Sequence, residues 1–469
     1  MNRIPINFLY ILPIALCLAM AVSCKKNYEN GNSALRFSNT EITFDTVFTS
    51  IGSVTKHFTV HNTSNSDITA TVFIAGGKNS YYSINVNGMP GPSLKDIVIP
   101  KKDSIFVFVK VNINPGLQNN PFLVTDSIVF STEYRKQNVK LLAYGQDARF
   151  IIADQGNPNL RYKIVAGEHE TVKWTKEKPY VVYGWATIDS LGTLIIEPGT
   201  KIYFHNNSGL LAYRYSNLEV NGTLDEPVLF RGDRLEAWFN NDFAQWSRIW
   251  INEGANVNIN YAIITNAQVG IQVEPFPDDK ITVTPYSLVN IENTIIRNTQ
   301  FNGVLSRFLN VNMTNCLIAN NGASSLQLEG GQYTMKHLTI ANYFTQQERK
   351  VPACYVSNAV SLYEVAYEAK AEFTNCIVFG NNETEVLVNK VNGSDLEASF
   401  ENCLVKAKNP SDYFINCLRN EDPQFTDISK LNFTLRTSSP AIDKGKPIGV
   451  DKDILGNSRG NPPSIGAYE

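Results

Sequence analysis

The sequence predicts an all-β protein built in two parts, a β-sandwich followed by a β-solenoid. Three observations carry that reading. Short apolar or alternating runs, broken by Asn, Gly, Pro and Asp, fill residues 35–148, which is the spacing of strands and tight turns. From residue 149 one theme recurs: a polar residue, often Asn, then a small residue, then two or three aliphatics, then Asn or Gly. No helical period runs through that second part.

In the first part, "ITFDTVF", "KHFTVHNTS", "ITATVFIAGG", "SIFVFVKVNINP", "DSIVFST" and "NVKLLAYG" each read as one strand. Strands at this spacing pack as two facing sheets. In the second part, Thr294, Cys316 and Leu338 are equivalent positions 22 residues apart, and Cys376 to Cys403 repeats the motif at a step of 27. Repeats of roughly 20 to 50 residues mark solenoids. With β-branched runs and Asn/Gly corners, this one is expected to be a parallel β-helix. One coil alone has nothing to bury its inward face against; stacking places like residues over like and closes a core.

Two corner positions follow from the repeat. Asn293, Asn315, Asn375 and Asn402 share one bend, where a side-chain amide is expected to bond the coils above and below. Cys316, Cys376 and Cys403 come next in the motif and are expected to point inward as small buried hydrophobes. A bridge from Cys403 to Cys417 is the alternative left open. The cysteines follow no tight zinc spacing, so no metal site is expected. The 41 basic residues nearly balance the 44 acidic ones, which argues against a nucleic-acid partner, since that needs a basic face.

The N-terminus reads as a targeting segment. Arg3 precedes the apolar run Phe8 to Val22, of 15 residues, shorter than the roughly 20 a spanning helix needs. "AVSC" resembles a bacterial lipobox, with Ala21 where leucine is usual. That resemblance implies a signal peptide over 1–23, lipidation of Cys24 and a polar tether over 24–34. The expected partner is therefore the membrane, through the lipid, and the expected location is the outer membrane. Lys25-Lys26 after the cysteine, in place of an acidic tract, favours the periplasmic face over the surface.

Longer stretches carry a family resemblance. The strand order over residues 35–148 is similar to immunoglobulin-like domains of the spindle-protein and motile-sperm class. "LGTLIIEPGTKIYF", "LEVNGTLDEPVLFRGDRLEAW" and "QWSRIWINEGANVNINYAIITNAQVGIQV" resemble the right-handed parallel β-helix proteins of the pectin-lyase-like superfold, in particular Gram-negative outer-membrane lipoproteins of uncharacterised function. This resemblance covers residues 149–469 and supplies the handedness. "SPAIDKG" and "GNSRGNPPSIGAYE" resemble the end of such helices. They imply a C-terminal cap over about 440–469, with Asp443 and Asp451 on turn amides and Arg459 paired to a carboxylate.

The superfold hosts lyases and hydrolases, but fold alone licenses no activity. A lyase needs a basic Arg or Lys and often calcium on acidic residues; a hydrolase needs carboxylates a set distance apart. Asp278-Asp279 is the one Asp-Asp pair, in a Pro-flanked turn, and no histidine falls in a recognisable motif. All five tryptophans, by contrast, lie between positions 174 and 250. Aromatic rings are flat apolar platforms for the CH face of a sugar. Trp238, Phe239, Trp250, Tyr213 and Tyr215 are the candidate glycan contacts, the first two in a loop that includes Arg231-Gly232-Asp233. Trp246 and Trp250, four apart, are expected on one strand face.

The expected function is therefore a lipid-anchored envelope protein with a non-catalytic binding or scaffold role, a polysaccharide being the ligand and no cofactor being required. Two alternatives stand beside it. One is a polysaccharide lyase or glycoside hydrolase with a non-standard site, in which calcium enters only for a lyase. The other is a structural, adhesin-like stalk.

Overall fold

A computed structural model describes residues 35–48, 53–113, 122–235, 239–276 and 288–469. The chain divides into two compact units, Met1–Asp147 and Ala148–Glu469. Among the described residues no helix is long and apolar enough to cross a membrane.

The first unit is two five-stranded sheets around one core. Alternation builds it: Ile68–Ile74 and Ser104–Val111 bury every second residue, so each strand gives one face to the core. Phe44, Phe58, Val72, Val107, Phe130 and Leu141 meet there. Glu41–Phe48 runs parallel to Lys136–Gln146, with a bulge at Ala143/Tyr144; the other pairs are antiparallel.

The second unit is a parallel β-helix of three long sheets. Sheet I has 11 strands, from Arg149–Ile152 to Leu418–Arg419. Sheet II has 10, from Gln155–Asn157 to Val386–Asn389, and sheet III has 10, from Thr171–Trp174 to Phe414–Ile415. The short Gln155–Asn157 pairs antiparallel with its neighbour; every other ladder in the three sheets is parallel.

The core consists of the stacked columns the repeat predicts. In sheet I, Ile202, Phe230, Ile264, Ile296, Ile318, Ile340 and Val378 lie in register. In sheet III, Ile259, Ile291, Met313, Met335, Phe373 and Phe400 do the same, and the last two rings stack at 4.3 Å. These side chains are buried, each worth about 1.5–3 kcal/mol of apolar transfer. Pairing along a column also sets register, because a one-residue slip would turn every aliphatic outward.

The Asn corner works through backbone conformation. Asn293, Asn315, Asn375, Asn402 and Asn416 all have φ between 48° and 56°, as does His337 at 51°. Asn tolerates this left-handed region better than other side chains. The next residue then points inward. Cys316, Cys376 and Cys403 are fully buried, and each sulfur donates to the carbonyl two residues back, at 3.2 or 3.3 Å. The thiol adds a second bond to a carbonyl that already accepts the amide of the corner residue one coil before, as Thr314 accepts from Asn293 and Glu401 from Asn375.

Two expectations need correction. The Asn corner bonds along the stack only in part: Asn293 reaches Asn260, Asn315 reaches Asn293 and Asn375 reaches His337. Beyond that, Asn315, Asn375 and Asn402 turn to the C-terminal segment, donating to the carbonyls of Lys452, Lys446 and Lys444. Residues 440–469 likewise do not lie across the end of the stack. They pack beside sheet I, where Ile454, Ile465, Ala467 and Tyr468 join Phe425 and Phe433 over Leu317, Ala319, Ala341, Ile377 and Leu404. The reason is the outward face of sheet I, which is apolar there and needs a cover. Arg459 does meet a carboxylate, Glu469 at 3.3 Å, and also donates to Asn315. Asp453 accepts from the amides of Leu455 and Asn457, the turn role expected of Asp443 and Asp451.

Candidate functional site

The outer face of sheet II is the one where polar chemistry collects. Its inward residues alternate with an outward column running Thr187, Leu211, Trp250, Gln272, Leu305, Gln327 and Tyr355 in register. One step further along the strands lie Glu274, Arg307 and Glu329, on three successive coils.

Those three form a stacked ion triad. Arg307 binds Glu274 at 2.6 Å and Glu329 at 2.8 Å. Gln272 donates to the other oxygen of Glu274, and Gln327 to the other oxygen of Glu329. Arg248 extends the chain by donating to Gln272. Glu274 and Glu329 are buried at 4% and 1% exposure. Burial lowers the affinity of Arg307 for its proton, and the carboxylates Glu274 and Glu329 more than offset it, leaving the guanidinium above its ordinary range. Burial pulls Arg248 below its ordinary range. Tyr363, from the short turn Ser361–Tyr363, lies near enough that burial, and then the Glu274 charge, raise its phenol.

An aromatic corner adjoins the triad. Phe276 stacks on Trp250 at 5.4 Å and meets Tyr213 edge-on at 5.4 Å, and Trp250 meets Trp185 edge-on at 5.8 Å. Arg214 lies over both Tyr213 and Phe276 and pairs with the buried Glu253. Glu253 in turn accepts the Phe276 amide at 2.8 Å, which fixes the ring that closes the corner. Beneath it is a cavity of about 250 Å³ lined by Leu160, Tyr162, Ile164, Thr187, Asp189, Leu211, Tyr213 and Phe276. Two polar atoms here are buried without a partner, the Thr187 hydroxyl and the Trp250 indole nitrogen. Such groups are costly unless something bonds them.

The structure joins some of the sequence candidates and separates others. Tyr213 and Trp250 meet through Phe276. Tyr215 follows at the next turn, 49% exposed, with its ring on the backbone of Gly254, where any Cβ would come within 2.3 Å of it. Phe239 is elsewhere, at the corner between sheets I and II, with Arg234 4.0 Å over its ring and its carbonyl bonded by Gln245. Trp238, Cys24 and Asp278-Asp279 lie outside the described residues. Arg231-Gly232 belongs to the strand Val228–Gly232 and Asp233 binds His205 at 2.8 Å, so that tripeptide is not a loop tip. Trp246 and Trp250 do not share a face: Trp246 is fully buried against Phe204, whereas Trp250 points out. The strand begins only at Ile249, so the alternation does not extend back to Trp246.

Sequence reasoning missed Phe276, Arg214, Glu253 and the whole triad. A signal was present. "IQVE" and "LQLE" are Gln-x-Glu on strands of equivalent coils, with Arg307 on the coil between. Among the described residues no group of three His, Cys, Asp or Glu is placed to hold a metal.

Comparison with known proteins adds little. No protein-family model matches the chain, and no curated protein sequence does. Solved structures match only in part. A family 123 glycoside hydrolase from Clostridium perfringens, studied for glycolipid glycan hydrolysis, shares 7% identity over 25% of this chain and 30% of that one, with a TM-score of 0.19. A protein of unknown function from Porphyromonas gingivalis W83 shares 11% over 29% of this chain and 59% of that one, with a TM-score of 0.20. The chain thus spans less than two thirds of either, and likeness this slight bears on no activity.

Proposed function

We propose that this is a lipid-anchored outer-membrane protein whose β-helix binds a polysaccharide on the outer face of sheet II. The observation that carries the reading is the Trp250–Phe276–Tyr213 corner over a cavity lined by the unpartnered Thr187 hydroxyl, beside the Arg248–Gln272–Glu274–Arg307–Glu329 network. Sugars are bound this way: an aromatic ring takes the CH face, and planar amide, guanidinium and carboxylate groups take the hydroxyls. On this reading Trp250 and Tyr213 contact the glycan, joined by Phe276. The first unit, read as an immunoglobulin-like domain, follows the anchor at Cys24.

The hydrolase alternative has one observation in its favour. Two carboxylates, Glu274 and Glu329, share one guanidinium, and glycosidases use a pair of carboxylates. Against it, all four of their oxygens are engaged by Arg307, Gln272 and Gln327. A buried ion ladder that holds the coils in register fits that arrangement better than an acid–base pair, which must exchange protons with substrate.

A polysaccharide array read for both binding and products is the test. Retention of one glycan class without new reducing ends is expected, with Phe276→Ala weakening it at least tenfold. No retention on any glycan would overturn the reading, and released oligosaccharide would replace it with the enzyme. Fractionation tests the anchor: Cys24→Ala is expected to move the protein from membrane to soluble fractions.

A further inference from the structure

Cys376, Cys403 and Cys417 follow one another up the same inward column. Leu404 stacks on Ile377 and Leu418 on Leu404, so the cysteines one residue earlier are in register too, and the Leu418 amide donates to the Cys403 carbonyl at 2.9 Å. Neighbouring strands lie about 4.8 Å apart, inside the roughly 4.4–6.8 Å window of Cα separations that a disulfide spans. Both thiols are free, and the Cys417 sulfur donates to the Phe400 carbonyl of the coil below at 3.0 Å. Cys417 is half-buried, and Cys403 is fully buried behind it.

We propose that Cys403 and Cys417 form a disulfide that staples the last coil of the β-helix to the coil before it. The place explains the need. A terminal repeat has one stacking neighbour instead of two, and the last strands here, Phe414–Ile415 and Leu418–Arg419, are two residues each. The order of events follows from access. The neighbouring Cys403 thiol holds the Cys417 thiol below its ordinary value, whereas burial pushes Cys403 up. The Cys417 thiolate therefore attacks a disulfide-bearing oxidant, displacing one thiolate and forming a mixed disulfide. Cys403 then attacks the Cys417 sulfur and gives its proton to the second leaving thiolate. Two protein thiols are oxidised and one external disulfide is reduced to two thiols. The Cys376–Cys403 pair has no such entry, since both sulfurs are fully buried. This inference is independent of the glycan reading.

The test uses the folded full-length chain treated with oxidised glutathione, quenched in acid, alkylated under denaturing conditions and mapped by mass spectrometry without reduction. A single Cys403–Cys417 link is expected, with Cys316, Cys354 and Cys376 alkylated. Cys403→Ser is expected to trap glutathione on Cys417. Oxidation is expected to slow proteolytic cleavage within residues 407–414 about tenfold. A stable glutathione adduct on Cys417 of the unmutated protein, a Cys376–Cys403 link, or five free thiols would each overturn the disulfide. Equal cleavage of the linked and reduced forms would overturn its role as a staple.

Discussion

Sheets I and II share the inward ladders of one β-helix, yet their outer faces have opposite characters. Sheet I turns Leu317, Ala319, Ala341, Ile377 and Leu404 outward, and the C-terminal segment buries them under Phe425, Phe433, Ile454 and Ile465. Sheet II turns Trp250, Gln272, Glu274, Arg307, Gln327 and Glu329 outward. The stacking is the same in both; what differs is the partner each face calls for. An apolar outward column is satisfied by the chain's own tail, through apolar burial. A column of amides, carboxylates and guanidinium is satisfied internally as an ion ladder, and beside it sit polar atoms that remain unpaired.

The comparison can be broken at either face. The largest effect is expected from Phe433→Ala, which opens a cavity under the tail. A loss of about 4 kcal/mol in denaturant unfolding follows from burial of this kind, and a loss under about 1 kcal/mol would mean the tail is dispensable to sheet I. Arg307→Met comes next. It leaves Glu274 and Glu329 buried without their shared cation, at a cost of about 3 kcal/mol, and is expected to abolish glycan retention as well. If stability falls and retention survives, the triad serves register alone.

Acidification sharpens the contrast from the other side. His337 lies buried at the tail interface, donating to the Gly466 carbonyl and accepting from Asn375. Burial, and then the nearby Arg459, push its pKa from 6.5 down to about 3. The unfolded chain therefore takes up the proton first. Stability is full above the unfolded value and declines as pH falls from about 6.5 toward 3, with about 2 kcal/mol lost between pH 7.5 and 5. His337→Asn keeps the residue type that the left-handed corner carries on other coils. It should flatten that acid limb relative to the unmutated chain in paired unfolding titrations. The smallest expected effect is at the aromatic corner. Phe276→Ala should cost at least tenfold in glycan affinity, about 1.4 kcal/mol, and leave the unfolding midpoint nearly unchanged.

Much of the β-helix was legible because its signal is periodic. The 22-residue step through Thr294, Cys316 and Leu338 marked the inward column, and the Asn before Thr294 and Cys316 marked the corner that His337 takes on the next coil. The site was less legible. Trp250 and Tyr213 were found by residue type, but a search by type also selected Phe239, which packs at another corner, and overlooked Phe276. The Glu274–Arg307–Glu329 triad escaped because its members are 33 and 22 residues apart; their contact exists only once three coils are stacked in register. Trp246 and Trp250 were expected to share a face because alternation was carried back across the start of a strand.

By itself the sequence determined the all-β class, the repeat and the inward ladders. Burial of an inward face depends on local alternation and on a period, and both are written along the chain. Only the tertiary structure decided what happens on the outside. Whether Asn375 bonds only the neighbouring coil or also a lysine carbonyl 71 residues on, and whether Arg307 meets one carboxylate or two, depends on which coils and which tail arrive beside it. Those distances are closed by the fold, and no local pattern encodes them.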